Sequence, residues 1–172
     1  MAETTTAVTT PMDKKRKQVL ESMPAPLQAI AAVIDEKFRK QAAGTVMIRY
    51  DIGKIIADVV SNEKTATYGE KAVEKLAAYQ GEKATTLYAL RDFAVSFNRE
   101  YVASWTSEPM ANGSFLTETH WMVLRMLASR EAQEKYLKRA LKDSLSAKAL
   151  GAEVKAAGAQ RENIRTSGRK AS

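Results

Sequence analysis

The sequence predicts an all-α protein, a compact multi-helix domain with two helix-turn-helix-like units. Three observations lead to this prediction. Apolar residues recur at helical spacing through most of the chain, and no run shows the strict alternation of a half-buried β-strand. Eight Gly and four Pro in 172 residues are too few for a β-rich fold with many turns. Hydrophobic residues make up 45% of the chain and charged residues 27%, which is typical of a globular protein.

Composition divides the chain into three parts. Residues 1–23 read as a flexible leader that ends in a short basic helix, which Asp13 could cap and which Pro24 would break. Residues 24–157 read as a helical, DNA-binding-like domain. Residues 158–172 read as a disordered basic tail, with four basic residues against one acidic residue. The net charge of +7 favours polyanionic partners, although solvated lysines on a soluble helical protein would give the same balance.

Two helices open the predicted domain. The first follows an apolar stripe from Leu27 and ends near Gly44, a plausible C-cap. The second is capped by Thr45 and is apolar on two sides, so we expect it in the centre of the core. Gly53 lies in the middle of this second helix, where glycine costs about 1 kcal/mol relative to alanine. Its presence predicts that a neighbouring helix approaches the backbone closely.

Short polar breaks divide the remainder of the chain, and Ser or Thr precedes most of the apolar runs. These residues are preferred at the first position of a helix because the side-chain oxygen accepts a hydrogen bond from a free backbone N–H. The predicted elements are a short helix over residues 68–79, a longer helix capped by Thr85 or Thr86 and continuing to Tyr101, a loop over residues 104–116, and helices that begin at Thr117, Ser129 and Ser146.

Two places combine a short helix, a tight polar turn and a second capped helix. Such a pair can place the start of its second helix in the major groove of DNA, where free N–H groups and the helix dipole attract phosphate. The first candidate joins Tyr68–Gln80 to a helix starting at Thr85 through the turn Gly81–Ala84. Its outward side chains, which would bond phosphate or read guanine, are Thr85, Thr86, Tyr88 and Arg91.

The second candidate joins Glu131–Lys142 to a helix starting at Ser146 through the turn Asp143–Leu145. Residues 130–148 include six basic and three acidic residues, the most basic part of the predicted domain. We therefore expect phosphate contacts from this unit and from the basic tail, and base-edge contacts from the helix starts at Thr85 and Ser146. The candidate DNA-binding residues of this unit are Lys138, Arg139, Lys142, Ser146 and Lys148.

Five segments, taken in chain order, carry a resemblance to a known family. They are Tyr50–Ile56 (YDIGKII), Tyr68–Ala77 (YGEKAVEKLA), Leu87–Phe93 (LYALRDF), Leu116–Leu124 (LTETHWMVL) and Leu145–Leu150 (LSAKAL). Together they resemble the N-terminal domain of YhcG-type proteins, which is helical with helix-turn-helix character and usually precedes a PD-(D/E)XK nuclease domain. The resemblance implies nucleic-acid recognition in DNA processing or mobile-element biology. The nuclease half has no counterpart in these residues, so nuclease activity is not implied.

The residue inventory excludes most catalytic chemistry. The chain has no Cys and one His, which excludes disulfides, thiolate chemistry and Cys-ligated zinc. Glu153-Val154-Lys155 matches the acid-x-Lys part of a nuclease motif by letter, but it lies on a predicted helix rather than a strand. His120, at the start of a helix, is expected to be a packing or capping residue. We therefore predict no catalytic residue, no metal ligand and no cofactor.

These observations favour a non-enzymatic DNA-binding protein, a regulator or a targeting subunit, with duplex DNA as its partner. The alternatives are a helical protein-interaction module, which would bind a protein partner or a second copy of itself, and a non-catalytic subunit of a split nuclease system. No run approaches 18 apolar residues, and the first residues lack the features of a secretory signal. The sequence therefore predicts a cytoplasmic protein without a membrane span.

Overall fold

A computed structural model describes residues 11–40, 46–63 and 67–158, and of residues 11–13 and 38–40 it describes the backbone. The predicted all-α class is confirmed, since these residues form nine helices and no β-strand. The predictions for residues 1–10, for Gly44 and Thr45 and for residues 159–172 lie outside the described residues. The helices are α1 (Pro11–Glu21), α2 (Ala25–Lys40), α3 (Val46–Asn62), α4 (Ala72–Gln80), α5 (Ala84–Ser96), α6 (Arg99–Thr106), α7 (Glu118–Leu124), α8 (Arg130–Asp143) and α9 (Ala147–Ala156).

The chain divides into two compact units, residues 1–95 and residues 96–172. The sequence predicts one helix running from Thr85 to Tyr101. Instead, α5 ends at Ser96 and α6 begins after Asn98. The Asn98 side chain accepts hydrogen bonds from the backbone N–H groups of Glu100 and Tyr101, at 2.9 and 3.3 Å, so a new helix starts where the apolar spacing suggested continuity.

The basic helix α1 is part of the N-terminal unit. It begins at Pro11, so Asp13 lies inside its first turn and is not its N-cap. The guanidinium of Arg16 pairs with Asp35 at 2.9 Å and stacks over the ring of Tyr79 at 4.5 Å. Val19 and Leu20 pack against the apolar core of the unit. The predicted leader over residues 1–23 therefore contains a helix that is docked on the unit, because its few apolar side chains find buried partners.

Helix α3 lies in the centre of the N-terminal core, as its two apolar stripes predict. An added Cβ at Gly53 would overlap the carbonyl oxygen of Leu90 and would lie 2.7 Å from its carbonyl carbon and 2.8 Å from Ala94 Cβ. The predicted close approach of a neighbouring helix is thus confirmed, and the neighbour is α5. Next to this contact, the rings of Tyr50 and Phe93 meet edge to face, with centroids 5.5 Å apart. The other buried side chains of α3 are Val46, Ile52, Ile56 and Val59.

Helix α4 starts later than the apolar spacing predicts, at Ala72 rather than near Tyr68. Lys71, the residue before the helix, is left-handed at φ 56°, and Glu63 Oε1 accepts the backbone N–H of Ala72 at 3.0 Å. A carboxylate nine residues earlier in the chain therefore caps α4, so the residues next to the helix start carry no capping signal for it.

The C-terminal unit is built around Trp121, which is fully buried. Its ring meets the rings of Phe97 and Tyr101 edge to face, with centroids at 5.0 and 5.7 Å. Trp105 lies on α6 and meets the other side of Tyr101 at 6.5 Å. Because α6 continues to Thr106, the predicted loop over residues 104–116 begins later than expected. Helices of the described chain are all too short or too polar to cross a membrane.

Candidate nucleic-acid interface

The second candidate pair of helices is present, with a turn one residue shorter than predicted because α8 includes Asp143. Helix α8 ends at Asp143, and Ser144 takes the left-handed conformation that ends a helix, at φ 50°. After Leu145, the side-chain oxygen of Ser146 accepts the backbone N–H of Ala149 at 3.1 Å and caps α9. Two residues thus separate α8 from the cap of α9. This short connection makes α8 and α9 a helical hairpin.

His120 holds the turn of this hairpin from inside the C-terminal unit. Only 4% of its surface is exposed. Its Nδ1 accepts the backbone N–H of Thr117 at 3.0 Å, so we infer that the ring proton is on Nε2, which donates to the carbonyl oxygen of Leu145 at 2.9 Å. The predicted packing or capping role of His120 is confirmed, since this side chain completes the capping box of α7. Both ring nitrogens of His120 therefore form hydrogen bonds within the fold.

The loop before α7 adds further hydrogen bonds to the same hairpin. The backbone N–H of Asn112 donates to Ser144 Oγ at 2.8 Å, and the backbone N–H of Ala111 donates to the carbonyl oxygen of Leu141, also at 2.8 Å. The end of α8 and the turn are therefore fixed by backbone groups about 30 residues earlier in the chain. A rigid turn gives α9 one orientation relative to α8, which groove binding requires.

Arg139, for which the sequence predicts a phosphate contact, joins α8 to α9 in the structure. Its Nε and Nη2 donate to the two carboxylate oxygens of Glu153 at 2.6 and 3.1 Å, and its Nη1 lies 3.3 Å from Asp143 Oδ2. The hydrogen bonds from Arg139 lower the pKa of Glu153, and Glu153 raises the pKa of Arg139 in return. This bidentate pair neutralises the guanidinium and holds the two helices together.

Three predicted lysines remain exposed around the turn, and we call Lys138, Lys142 and Lys148 the turn lysines. Lys138 and Lys142 are four residues apart, so they share one side of α8, and Lys148 lies in the first turn of α9. No turn lysine forms an ion pair within the described part of the chain. Lys142 also lies in the last turn of α8, where a cation is favoured by the helix dipole regardless of any ligand.

The opposite side of α9 is buried. Leu150 and Val154 are almost fully buried, and Gly151 faces Val123 of α7, to whose Cγ2 an added Cβ would lie at 3.5 Å. Because these residues hold one side of α9 in the core, the side that carries Lys148 is turned to solvent. The structure thus presents the start of α9 at the surface, with the Ser146 cap exposed beside it.

The first helix-turn-helix candidate differs from its prediction at the start of its second helix. Gly81 ends α4 in the left-handed conformation at φ 73°, and α5 begins at Ala84. Thr85 and Thr86 therefore lie inside the first turn and do not cap the helix. The turn is shorter than predicted because the chain re-enters the helix at once, with the N–H of Thr86 donating to the carbonyl oxygen of Lys83 at 2.9 Å. Thr85 is exposed and Thr86 is half-buried.

The two larger side chains of the first candidate are engaged with carboxylates. Arg91 donates to Asp92 Oδ1 at 2.6 and 2.9 Å and lies 5.1 Å from the centre of the Tyr88 ring. The Tyr88 hydroxyl lies 3.4 Å from Glu74 Oε1, and its pKa is raised by partial burial and then by the charges of Glu74 and Glu63. Neither side chain projects into open solvent in the way that the sequence suggested.

A shallow groove of about 410 Å³ borders Tyr88 in the N-terminal unit. Three glutamates and one lysine contribute its charged side chains, so the surface potential repels a phosphate backbone. The first candidate is therefore a weaker electrostatic match for nucleic acid than the second. The lining residues are Val60, Glu63, Glu70, Lys71, Glu74 and Tyr88.

No family model matches the chain, and no curated protein or solved structure matches it either. The resemblance to YhcG-type proteins therefore stays a prediction. Within the described residues, no group of three or more His, Cys, Asp or Glu side chains is arranged to hold a metal ion. Glu153 of the acid-x-Lys pattern lies on helix α9, as expected, with its carboxylate on Arg139.

Proposed function

We propose that this protein binds duplex DNA without catalysing a reaction on it, as a regulator or a targeting subunit, through the α8–α9 hairpin. The observation that carries the proposal is the cluster of exposed turn lysines beside the capped start of α9, none of which pairs with a carboxylate of the described residues. Both features attract phosphate, because lysine supplies full charges and the helix start supplies free N–H groups and a positive dipole end. They occur on a hairpin whose turn is held rigid by His120.

The proposal rests on the second candidate alone. In the first candidate, Arg91 is neutralised by Asp92 and Tyr88 borders an acidic groove. In the second, Asp143 and Glu153 both contact Arg139, and residues 130–156 hold seven basic side chains against four acidic ones. The electrostatic field around the turn is therefore positive, as phosphate binding requires.

Neutralising the turn lysines together is expected to weaken DNA binding by at least about tenfold at moderate salt. The variant is Lys138→Gln, Lys142→Gln and Lys148→Gln in one chain. Each lysine that contacts a phosphate releases about one counterion, so the slope of log affinity against log salt should fall by about two to three. The measurement is the fluorescence anisotropy of a labelled random-sequence duplex, titrated with the full chain between about 50 and 200 mM salt.

A matched control carries the same charge change in the N-terminal unit, as Lys14→Gln, Lys15→Gln and Lys54→Gln. All three lysines are exposed. We expect this control to bind DNA with nearly the affinity of the parent chain and with its salt slope. Equal losses in the two triple variants would show that only net charge matters and would contradict the hairpin as the site.

The second candidate function is a protein-interaction module. Two exposed apolar side chains in the C-terminal unit favour it, Phe115 at 53% and Met126 at 41% exposure. Raising the salt concentration would change the affinity for a protein partner docked on apolar surface only slightly. It would lower the affinity for DNA steeply. A chain that binds no duplex at low salt and self-associates or captures a protein at high salt would favour this second function.

A further inference from the structure

The solvent-facing side of α9 lacks the side chains that make bidentate contacts with base edges most readily. Its exposed residues are Lys148, Ala152, Lys155 and Ala156, and the helix contains no Arg, Asn or Gln. Arg donates two hydrogen bonds to guanine from a rigid planar group, and Asn and Gln pair a donor and an acceptor with adenine. Lysine instead acts mainly as a mobile point charge. The composition of this surface is therefore suited to a charged backbone.

The remaining polar groups of α9 are already engaged. Glu153 could accept a hydrogen bond from cytosine, but Arg139 holds both of its carboxylate oxygens, at 2.6 and 3.1 Å. Ser146, which the sequence assigns to base edges, uses its side-chain oxygen to cap the helix at the N–H of Ala149. Neither group is directed by the fold toward a ligand in the groove.

The spacing of the two exposed lysines matches the flanks of a groove. Lys148 and Lys155 are seven residues apart, so they lie about 10.5 Å apart along the helix axis. The major groove of B-form DNA is about 12 Å wide. Ala152 lies between them, on the same side of the helix, and its small side chain lets the backbone come close to the groove. Long flexible ammonium side chains at both ends can then reach phosphates of the two strands.

We infer that α9 binds duplex DNA through its phosphate backbone and without preference for sequence. This inference rests on the proposed function and narrows its ligand to duplex of any sequence. Phosphate contacts position a protein on the duplex, whereas base contacts specify the site. A helix that offers lysines and alanines supplies mainly the first kind of contact.

Competition measurements with the full chain test the inference. A labelled mixed-sequence duplex is displaced at one salt concentration by unlabelled alternating A·T, alternating G·C and mixed-sequence duplexes of equal length. We expect the competing affinities to agree within about fivefold, since sequence-specific proteins prefer their sites by about 10³-fold or more. A preference of about 100-fold or more for one duplex, or a consensus recovered by selection from a random library, would overturn the inference.

Single variants separate backbone contact from base reading. We expect Lys148→Gln to lower affinity for all three duplexes by the same factor, and Lys54→Gln, exposed on α3, to leave all three affinities unchanged. A loss confined to the G·C duplex would mean that Lys148 reads guanine and would overturn the inference. If the parent chain binds none of the duplexes even at low salt, the proposed function itself fails, which is a different outcome from sequence preference.

Discussion

Replacing Gly53 by alanine is expected to lower the free energy of unfolding by about 3 kcal/mol. The new Cβ would overlap the carbonyl oxygen of Leu90 and lie 2.8 Å from Ala94 Cβ. A carbonyl group in the middle of a helix cannot rotate away, so α3 and α5 must separate and the core between them must repack. The gain in helix propensity, about 1 kcal/mol, offsets only part of this cost. Urea denaturation followed by circular dichroism measures the change.

Gly151 provides the matched control, since it is also a glycine inside a helix. Its added Cβ would lie 3.5 Å from Val123 Cγ2, an ordinary van der Waals distance. We therefore expect Gly151→Ala to leave stability unchanged or to raise it by up to about 1 kcal/mol. Opposite signs for the two substitutions would support the packing described at Gly53. Equal and small effects would contradict the close contact between α3 and α5.

Truncating Trp121 to alanine is expected to destabilise the chain by about 4 kcal/mol. The side chain is fully buried and its ring lies against those of Phe97 and Tyr101, which connect it to the start of α6. Removing it leaves a cavity that a rigid aromatic cluster cannot fill. Thermal and urea unfolding give the loss, and the near-ultraviolet circular dichroism of the aromatic cluster should weaken.

Trp105→Ala serves as the comparison because Trp105 is only partly buried and contacts Tyr101 from one side. We expect it to cost less than half as much as Trp121→Ala. Since Trp121 and His120 are adjacent and His120 holds the α8–α9 turn, the Trp121 variant should also bind DNA more weakly than the Trp105 variant. Comparable stability losses for both tryptophans would show that Trp121 is not the centre of this core.

Short-range patterns of apolar spacing and helix capping predicted much of the fold. The two apolar stripes around Gly53 indicated a central helix with a close neighbour, and that neighbour is α5. Ser129 and Ser146 begin helices where an oxygen can accept a free N–H, and the side chains of both do so in the structure. The all-α class and the limits of the α8–α9 hairpin follow from the same short-range rules.

Two kinds of signal explain what the sequence could not predict. The Asn98 cap is local, but it was hidden because apolar residues continue at helical spacing on both sides of it. Glu63, nine residues before Ala72 in the chain, caps α4, and the pairing of Arg16 with Asp35 docks a helix that looked like a leader. These last two contacts depend on partners that only the folded chain brings close.

The candidate site was likewise predicted only in part from the sequence. The charge count indicated a group of lysines around the second turn. They are exposed in the structure because lysine is rarely buried. The charge count could not show that Arg139 forms an ion pair with Glu153, fourteen residues later. Nor could it show that the glutamates beside Tyr88 line one groove. Of the predicted phosphate contacts, the turn lysines remain exposed, whereas Arg139 joins two helices.

Amide chemical-shift mapping shows directly whether duplex DNA binds at the α8–α9 turn. The isotope-labelled full chain is titrated with a random-sequence duplex of about 16 base pairs at low salt, and the shift of each backbone amide is followed. DNA binding at the α8–α9 turn predicts that the largest shifts fall at the end of α8 and over the first turn of α9, from Lys138 to Lys148, and that they vanish at high salt. Shifts concentrated around Thr85 and Arg91, or no shifts on adding duplex, would contradict it.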